Sequence, residues 1–194
     1  MGIGGYIKMV MSKRRAVFLD RDGVINRAIV REGKPYPPSC VAEIQIFPGV
    51  AESLRCLKEA GFLLIVVSNQ PDVARGTACQ DTVESINACL AVHLPIDRFI
   101  TCYHDNSDAC DCRKPKPGML LAGAREFDID LSASFMLGDR WRDVEAGACA
   151  GCKTIFIDYG YDERQPHTVD FRVTSLSEAA EIILQIKRDK HENS

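Results

Sequence analysis

Asp20 and Asp22 stand at the end of the apolar run Ala16 to Leu19, with Gly23 directly behind them. The same arrangement recurs twice. Ser68-Asn69-Gln70 follows Phe62 to Val67, and Gly138-Asp139 follows Ser134 to Leu137, with Asp143 four residues on. In open α/β sheets the crevice outside the carboxyl ends of the strands is where ligands bind, so three polar strand ends point to one reaction site. Asp20, Asp22, Asp139 and Asp143 together would repel one another without a cation. Hard carboxylate oxygens select Mg²⁺, which favours a ligand bringing its own phosphate. Ser68, the backbone N–H groups after it and Lys114 supply donors and positive charge for phosphoryl oxygens. A carboxylate with a reference pKa of ~3.9 is ionised without a base, so Asp20 suits in-line attack on phosphorus. Asp22 is placed to protonate the leaving oxygen and later take a proton from water.

A second constellation is Cys102-x-His104-x5-Cys110-x-Cys112. Three thiolates and one imidazole make a closed tetrahedral set with no open position, the signature of structural Zn²⁺. Arg113 and Lys114 follow the last ligand directly, so the metal is expected to fix how two cations meet the substrate. The remaining cysteines of the nine, Cys40, Cys56, Cys79, Cys89, Cys149 and Cys152, read as ordinary thiols. Cys149-x-x-Cys152 lies in a small-residue turn where cysteine replaces alanine. Trp141 is expected to pack near Asp139, and Arg75 to anchor its own loop.

The elements that must carry these residues alternate. Strands are expected at Ala16–Leu19, Phe62–Val67, Arg98–Thr101, Ser134–Leu137 and Thr154–Ile157, with Arg172-Val173 at an edge. Helices are expected from Val50 to a stop at Gly61, at 78–90, at 117–127 and at 142–150, and from the capping box Ser175-x-x-Glu178 to about Arg188. Continuous apolar strands alternating with helices imply an α/β fold, a Rossmann-like, mostly parallel sheet with helices on both faces. Residues 27–47, punctuated by Gly33, Pro35, Pro37 and Pro38 and with Val41, Ile44 and Ile46 spaced like short strand pieces, suggest a flap or hairpin beside the site and are too few for a cap domain.

The chain of 194 residues, 46% hydrophobic, suits one domain, expected at 16–189 between an N-terminal extension (1–15) and a short tail (190–194). A net charge of −3 gives no basic face for nucleic acid. No segment reads as a signal peptide or membrane helix, so a cytoplasmic chain is expected, with its thiols reduced. An open, uncapped chain of this size is expected to be a monomer.

D-R-D-G-V at 20–24, Ser68 after an apolar strand, Lys114 in R-K-P and G-D-R-W-R-D at 138–143 resemble, in order, the four motifs of the haloacid-dehalogenase superfamily of phosphohydrolases. The resemblance implies a capless fold with Asp20 as nucleophile, Asp22 as general acid/base, and Ser68 and Lys114 as phosphate binders. It also implies Mg²⁺ on Asp20, Asp139 and the backbone carbonyl of Asp22, with Asp143 behind. The loop 102–112, C-R-K-P-K-P-G-M at 112–119 and S-N-Q-x-x-x-A-R-G at 68–76 resemble the zinc-containing branch that holds heptose bisphosphate and histidinol-phosphate phosphatases. That branch implies Asn69, Gln70, Arg113 and Arg140 as substrate contacts and a small phosphorylated metabolite, first a sugar bisphosphate, as substrate. Pro71-Asp72 stands where a Ser-Gly-like pair is common, and Arg140 where Lys is common. Histidinol phosphate, another sugar phosphate, a phosphotransferase or mutase, and a catalytically dead zinc-loop interaction module are the alternatives.

Overall fold

Alternating side chains of the first strand, Val17 and Leu19 to one side and Ala16 and Phe18 to the other, are all fully buried, so the sheet that contains them is covered twice. The computed structural model describes residues 13–32 and 34–192. Its elements in chain order are β1 (Arg15–Leu19), the hairpin β2 (Ile29–Arg31) and β3 (Lys34–Tyr36), α1 (Val50–Glu59), β4 (Phe62–Asn69), α2 (Gln80–His93), β5 (Arg98–Cys102), α3 (Gly118–Phe127), β6 (Phe135–Gly138), α4 (Trp141–Ala150), β7 (Lys153–Ile157), β8 (Phe171–Val173) and α5 (Leu176–Glu192).

Six strands pair in the order β5-β4-β1-β6-β7-β8, every ladder parallel. Because β1 lies at the centre, Asp20 emerges between the ends of β4 and β6, which carry Ser68 and Asp139. Leu54 and Leu57 of α1, Ile86 and Leu90 of α2, and Leu176, Ala179 and Ile183 at the start of α5 pack on the Val17/Leu19 side. Met119 and Leu120 of α3 and Ala146 of α4 pack on the Phe18 side. This is the expected α/β architecture with helices on both faces.

Several boundaries differ from expectation. α2 begins at Gln80, not 78, because Cys79 is still extended, and it ends at His93 because Leu94 is extended ahead of Pro95. Val41, expected in a strand piece, lies in a 3-10 turn, so the flap is one two-stranded hairpin followed by that turn. Of the expected extension, residues 1–12 lie outside the described residues, while Arg14 already bridges Ile129 and Arg15 opens β1. The tail expected from Lys190 is helical to Glu192, and 193–194 lie outside the described residues. Among the described residues no helix is long and apolar enough to cross a membrane.

Candidate active site and candidate metal loop

The carboxyl ends of β1, β4 and β6 open into a cleft of about 580 Å³ whose lining includes Asp20, Asp22, Ser68, Lys114 and Asp143. Carboxylate oxygens of Asp20, Asp139 and Asp143, all buried, lie within 4.8 Å of one another. The Lys114 ammonium donates to Asp20 Oδ1 and the Val67 carbonyl, each at 2.8 Å, and lies 2.6 Å from Asp143 Oδ1. Its three protons are therefore all placed. Burial alone would lower the Lys114 pKa, but Asp143 and Asp20 outweigh it and hold the group above the ordinary lysine range. Burial pushes the Asp20 carboxyl up to about 6, against the pull of Lys114. Burial, then the charges of Asp20 and Asp143, raise Asp139 well above the carboxylate range.

These groups fit a divalent cation. Ionised together, the three carboxylates and one ammonium would leave two negative charges in a buried cluster, which a doubly charged ion would balance. Both oxygens of Asp139 are buried without a hydrogen-bond partner among the described residues, an arrangement that costs ~1–3 kcal/mol or more for a charged group unless something coordinates it. Asp143 is otherwise occupied, since its Oδ2 accepts from the Arg140 backbone N–H at 3.0 Å while Oδ1 faces Lys114. Expected behind the ligands, Asp143 thus stands inside the carboxylate trio but with both oxygens engaged.

Local backbone requirements explain the glycines of both motifs. A Cβ on Gly23, whose φ is +92°, would fall 1.9 Å from Asp139 Oδ2. One on Gly138 would fall 2.1 Å from the Asp143 Cβ. Only glycine lets these strand ends approach so closely.

Asp22 is held apart from the trio. Its Oδ1 accepts from Asn26 Nδ2 at 2.9 Å, and its Oδ2 accepts from Gln70 Nε2 and Arg21 Nη2, both at 2.9 Å. Arg21 is fully buried and also donates to Asn87 Oδ1 on α2 at 3.0 Å. An arginine so enclosed must have its charge met.

In the loop after β5, Cys102, His104, Cys110 and Cys112 converge. Their ligand atoms are separated by 3.0 Å (Cys112–Cys102), 3.2 Å (His104 Nδ1–Cys112), 3.5 Å (Cys112–Cys110), 3.6 Å (Cys102–His104 Nδ1) and 3.8 Å (Cys102–Cys110). A tetrahedron with Zn–S bonds of ~2.3 Å has edges of ~3.8 Å, so these separations sit at or just inside a zinc cage. Burial raises the Cys102 thiol far above the ordinary range, so its thiolate form calls for a bound cation.

The comparisons with known proteins decide the family. A family model for haloacid dehalogenase-like hydrolases matches residues 30–151. A D-glycero-β-D-manno-heptose-1,7-bisphosphate 7-phosphatase of Yersinia pestis is 36% identical over 151 residues, covering 72% of this chain and 77% of that protein. The enzyme of the same name from Photorhabdus laumondii is 32% identical over 188 residues, covering 89% and 97%. The chain belongs to the haloacid dehalogenase-like hydrolases. It is an enzyme of the phosphoric monoester hydrolase class. Among solved structures, a D,D-heptose 1,7-bisphosphate phosphatase from B. bronchiseptica, complexed with magnesium and phosphate, superposes with a TM-score of 0.75 at 29% identity, covering 89% of this chain and 99% of that one.

Within this hydrolase, the four residues expected as substrate contacts divide by their partners. Asn69 Oδ1 accepts from the Lys114 backbone N–H and its Nδ2 donates to the Lys114 carbonyl, both at 3.0 Å. Gln70 Nε2 donates to Asp22 Oδ2 and to Ser68 Oγ, both at 2.9 Å. Both amides thus hold neighbouring site residues, and Asn69 alone of the two lines the cleft. Arg113 and Arg140 also line it. Arg113 is steadied by Asn106 Oδ1 at 2.9 Å and the His104 carbonyl at 3.2 Å, both within the loop 102–112. Arg140 donates from Nε to Glu163 Oε1 at 2.9 Å and pairs with the same carboxylate through Nη2.

Arg21, Asn87, Glu163 and Arg142 complete the site and were not singled out by motif. Arg21 carried a signal: a cation among the fully buried Leu19, Val24 and Ile25 must be buried itself and neutralised on the spot. Glu163 carried none, because it lies in the irregular stretch between β7 and β8.

Proposed function

We propose that this hydrolase cleaves a phosphomonoester of a small metabolite through an aspartyl-phosphate on Asp20, and that its substrate is the 7-phosphate of D-glycero-D-manno-heptose 1,7-bisphosphate. The observation that carries the chemistry is the unpartnered, buried carboxylate of Asp139 beside a nucleophile whose other oxygen is already fixed by Lys114. The heptose assignment is supported by the relatives named above and by a solvent-open cleft edged with arginines.

Asp20 would present its free oxygen in line with the scissile P–O bond while Lys114 holds the other and faces the equatorial oxygens beside Ser68. Mg²⁺, held by Asp20, Asp139 and the backbone carbonyl of Asp22, would supply charge neutralisation for the phosphoryl oxygens. As the Asp20–phosphorus bond forms, the ester oxygen departs with a proton from Asp22. Asp22 already edges the cleft and must give up its contact with Arg21 to reach the leaving oxygen; having delivered its proton there, it is the base of the second half. There it takes a proton from water, whose oxygen attacks phosphorus and frees Asp20 and inorganic phosphate. Zn²⁺ on Cys102, His104, Cys110 and Cys112 would staple the loop that delivers Arg113 and Lys114.

The test is phosphate release with Mg²⁺ from the α- and β-anomers of heptose 1,7-bisphosphate, histidinol phosphate and simple sugar phosphates. Dominant turnover of the heptose, selective for one anomer, is expected. Faster turnover of histidinol phosphate would overturn the substrate assignment and leave the phosphatase chemistry standing.

A further inference from the structure

Three guanidinium groups, of Arg113, Arg140 and Arg142, line the cleft that contains Asp20. Their surroundings differ. Arg140 is neutralised by Glu163. Arg113 faces Asp105 at 3.9 Å and has two neutral acceptors besides. Arg142 has neither, and among the described residues no carboxylate comes within 4.0 Å of it. What holds it is the Trp141 ring, whose centroid lies 4.6 Å from its guanidinium carbon. Arg164 lies over the same ring at 4.4 Å and is itself paired with Glu145 at 2.6 Å. Glu163 and Asp143 are the acidic groups felt at Arg142, and both are already committed, to Arg140 and to Lys114.

Apart from the Trp141 ring, nothing in the fold rewards this placement. Arg142 sits in the first turn of α4, where the helix dipole favours anions and a cation costs a few tenths of a kcal/mol. Arg140 and Arg113 add repulsion, and half-burial adds loss of hydration. A half-buried, always-charged guanidinium with no protein counter-ion at the edge of a phosphoryl site is complementary to a mobile dianion.

Resting on the reading that the substrate is a sugar bisphosphate, we infer that Arg142, stacked on Trp141, is the clamp for the substrate's remote phosphate and sets the preference for bisphosphates over monophosphates. The reacting phosphate belongs to Lys114 and Ser68. Arg142 engages the other one, with Arg113 flanking it.

The test is the ratio of kcat/KM for heptose 1,7-bisphosphate to that for heptose 7-phosphate, in wild type, Arg142→Ala and Arg142→Lys. Loss of a charge-assisted, two-pronged contact is expected to collapse that ratio roughly 10–100-fold in Arg142→Ala, through KM, with Arg142→Lys intermediate because it keeps the charge and loses the fork and the stacking. A ratio equal to wild type, or equal losses on both substrates, would overturn the inference. Should wild type fail to turn over the heptose, that failure belongs to the substrate assignment alone. Competition against p-nitrophenyl phosphate by a hexose 1,6-bisphosphate and a hexose 6-phosphate then decides. Preference for the bisphosphate in wild type, abolished in Arg142→Ala, supports the clamp, and absence of that preference contradicts it.

Discussion

Two clusters of cation-binding groups lie a few residues apart at the carboxyl edge of the sheet, and they are built on opposite plans. The carboxylate centre draws Asp20, Lys114 and the pair Asp139 and Asp143 from three separate segments, and the parallel pairing of β1 with β6 brings the carboxylates together. The proposed zinc site takes Cys102, His104, Cys110 and Cys112 from one short irregular stretch. In the first, the oxygens of Asp139 remain unpaired among the described residues, while in the second the four ligand atoms converge on one another. An open donor set can share its ion with a substrate, whereas a closed one can only hold the chain. Preformed strand ends can afford unmet valence because the sheet is stabilised elsewhere. A loop without secondary structure has to be stabilised by its own ligands.

The comparison predicts different losses on each side. Asp20→Asn keeps the shape but removes the proposed nucleophile, and phosphate release is expected to fall by roughly 10⁴-fold or more with the melting temperature nearly unchanged. Retained turnover in that variant would erase the distinction between the two clusters. Cys110→Ser should instead remove zinc and destabilise the chain by more than ~2 kcal/mol, a drop of about 5 °C or more in melting temperature, because structural zinc contributes directly to folding. Metal analysis and thermal melts check this, and an unchanged zinc content would undo the assignment of the loop.

How much of this was legible in the sequence differs along the same line. Cys102-x-His104-x5-Cys110-x-Cys112 shows its geometry because its partners are sequence neighbours. Asp20, Ser68 and Asp139 were legible because each ends an apolar run that has to be a buried strand. The partners of those residues were not. Gln70 turns inward to Asp22 and Ser68, and Asn69 clasps the Lys114 backbone, which the string S-N-Q does not distinguish from two residues facing a ligand. Asn87, on the apolar face of α2, meets Arg21 only once that helix docks. Val41 looked like strand because its apolar spacing is all that a short, 41% exposed turn displays.

Smaller effects sharpen the same contrast. Asp20 has its pKa raised to about 6 in the folded chain against about 3.9 unfolded. A raised carboxyl pKa favours the folded state below the unfolded value and loses that contribution as pH rises through the folded one. Without metal, the chain should therefore weaken between about pH 4 and 6. Saturating Mg²⁺ should then raise the melting temperature more at neutral pH than below pH 5, as melts with and without Mg²⁺ can show. An equal shift at both would mean the trio is not the ion's site. Least of all, Arg75→Ala should cost under ~1 kcal/mol, because its paired contacts to Asp105 at 2.7 and 2.9 Å and to Asp72 are exposed. Its kcat/KM is expected to fall only a few-fold, through Arg113, which shares Asp105. A loss as large as that of Asp20→Asn would show the two clusters to be one machine.

The most direct test of the account is to quench the enzyme during turnover, reduce any acyl phosphate with borohydride and map which carboxylate was marked. The mark is expected on Asp20 alone, and a mark on Asp22 or Asp139, or none during active turnover, would contradict the aspartyl-phosphate route.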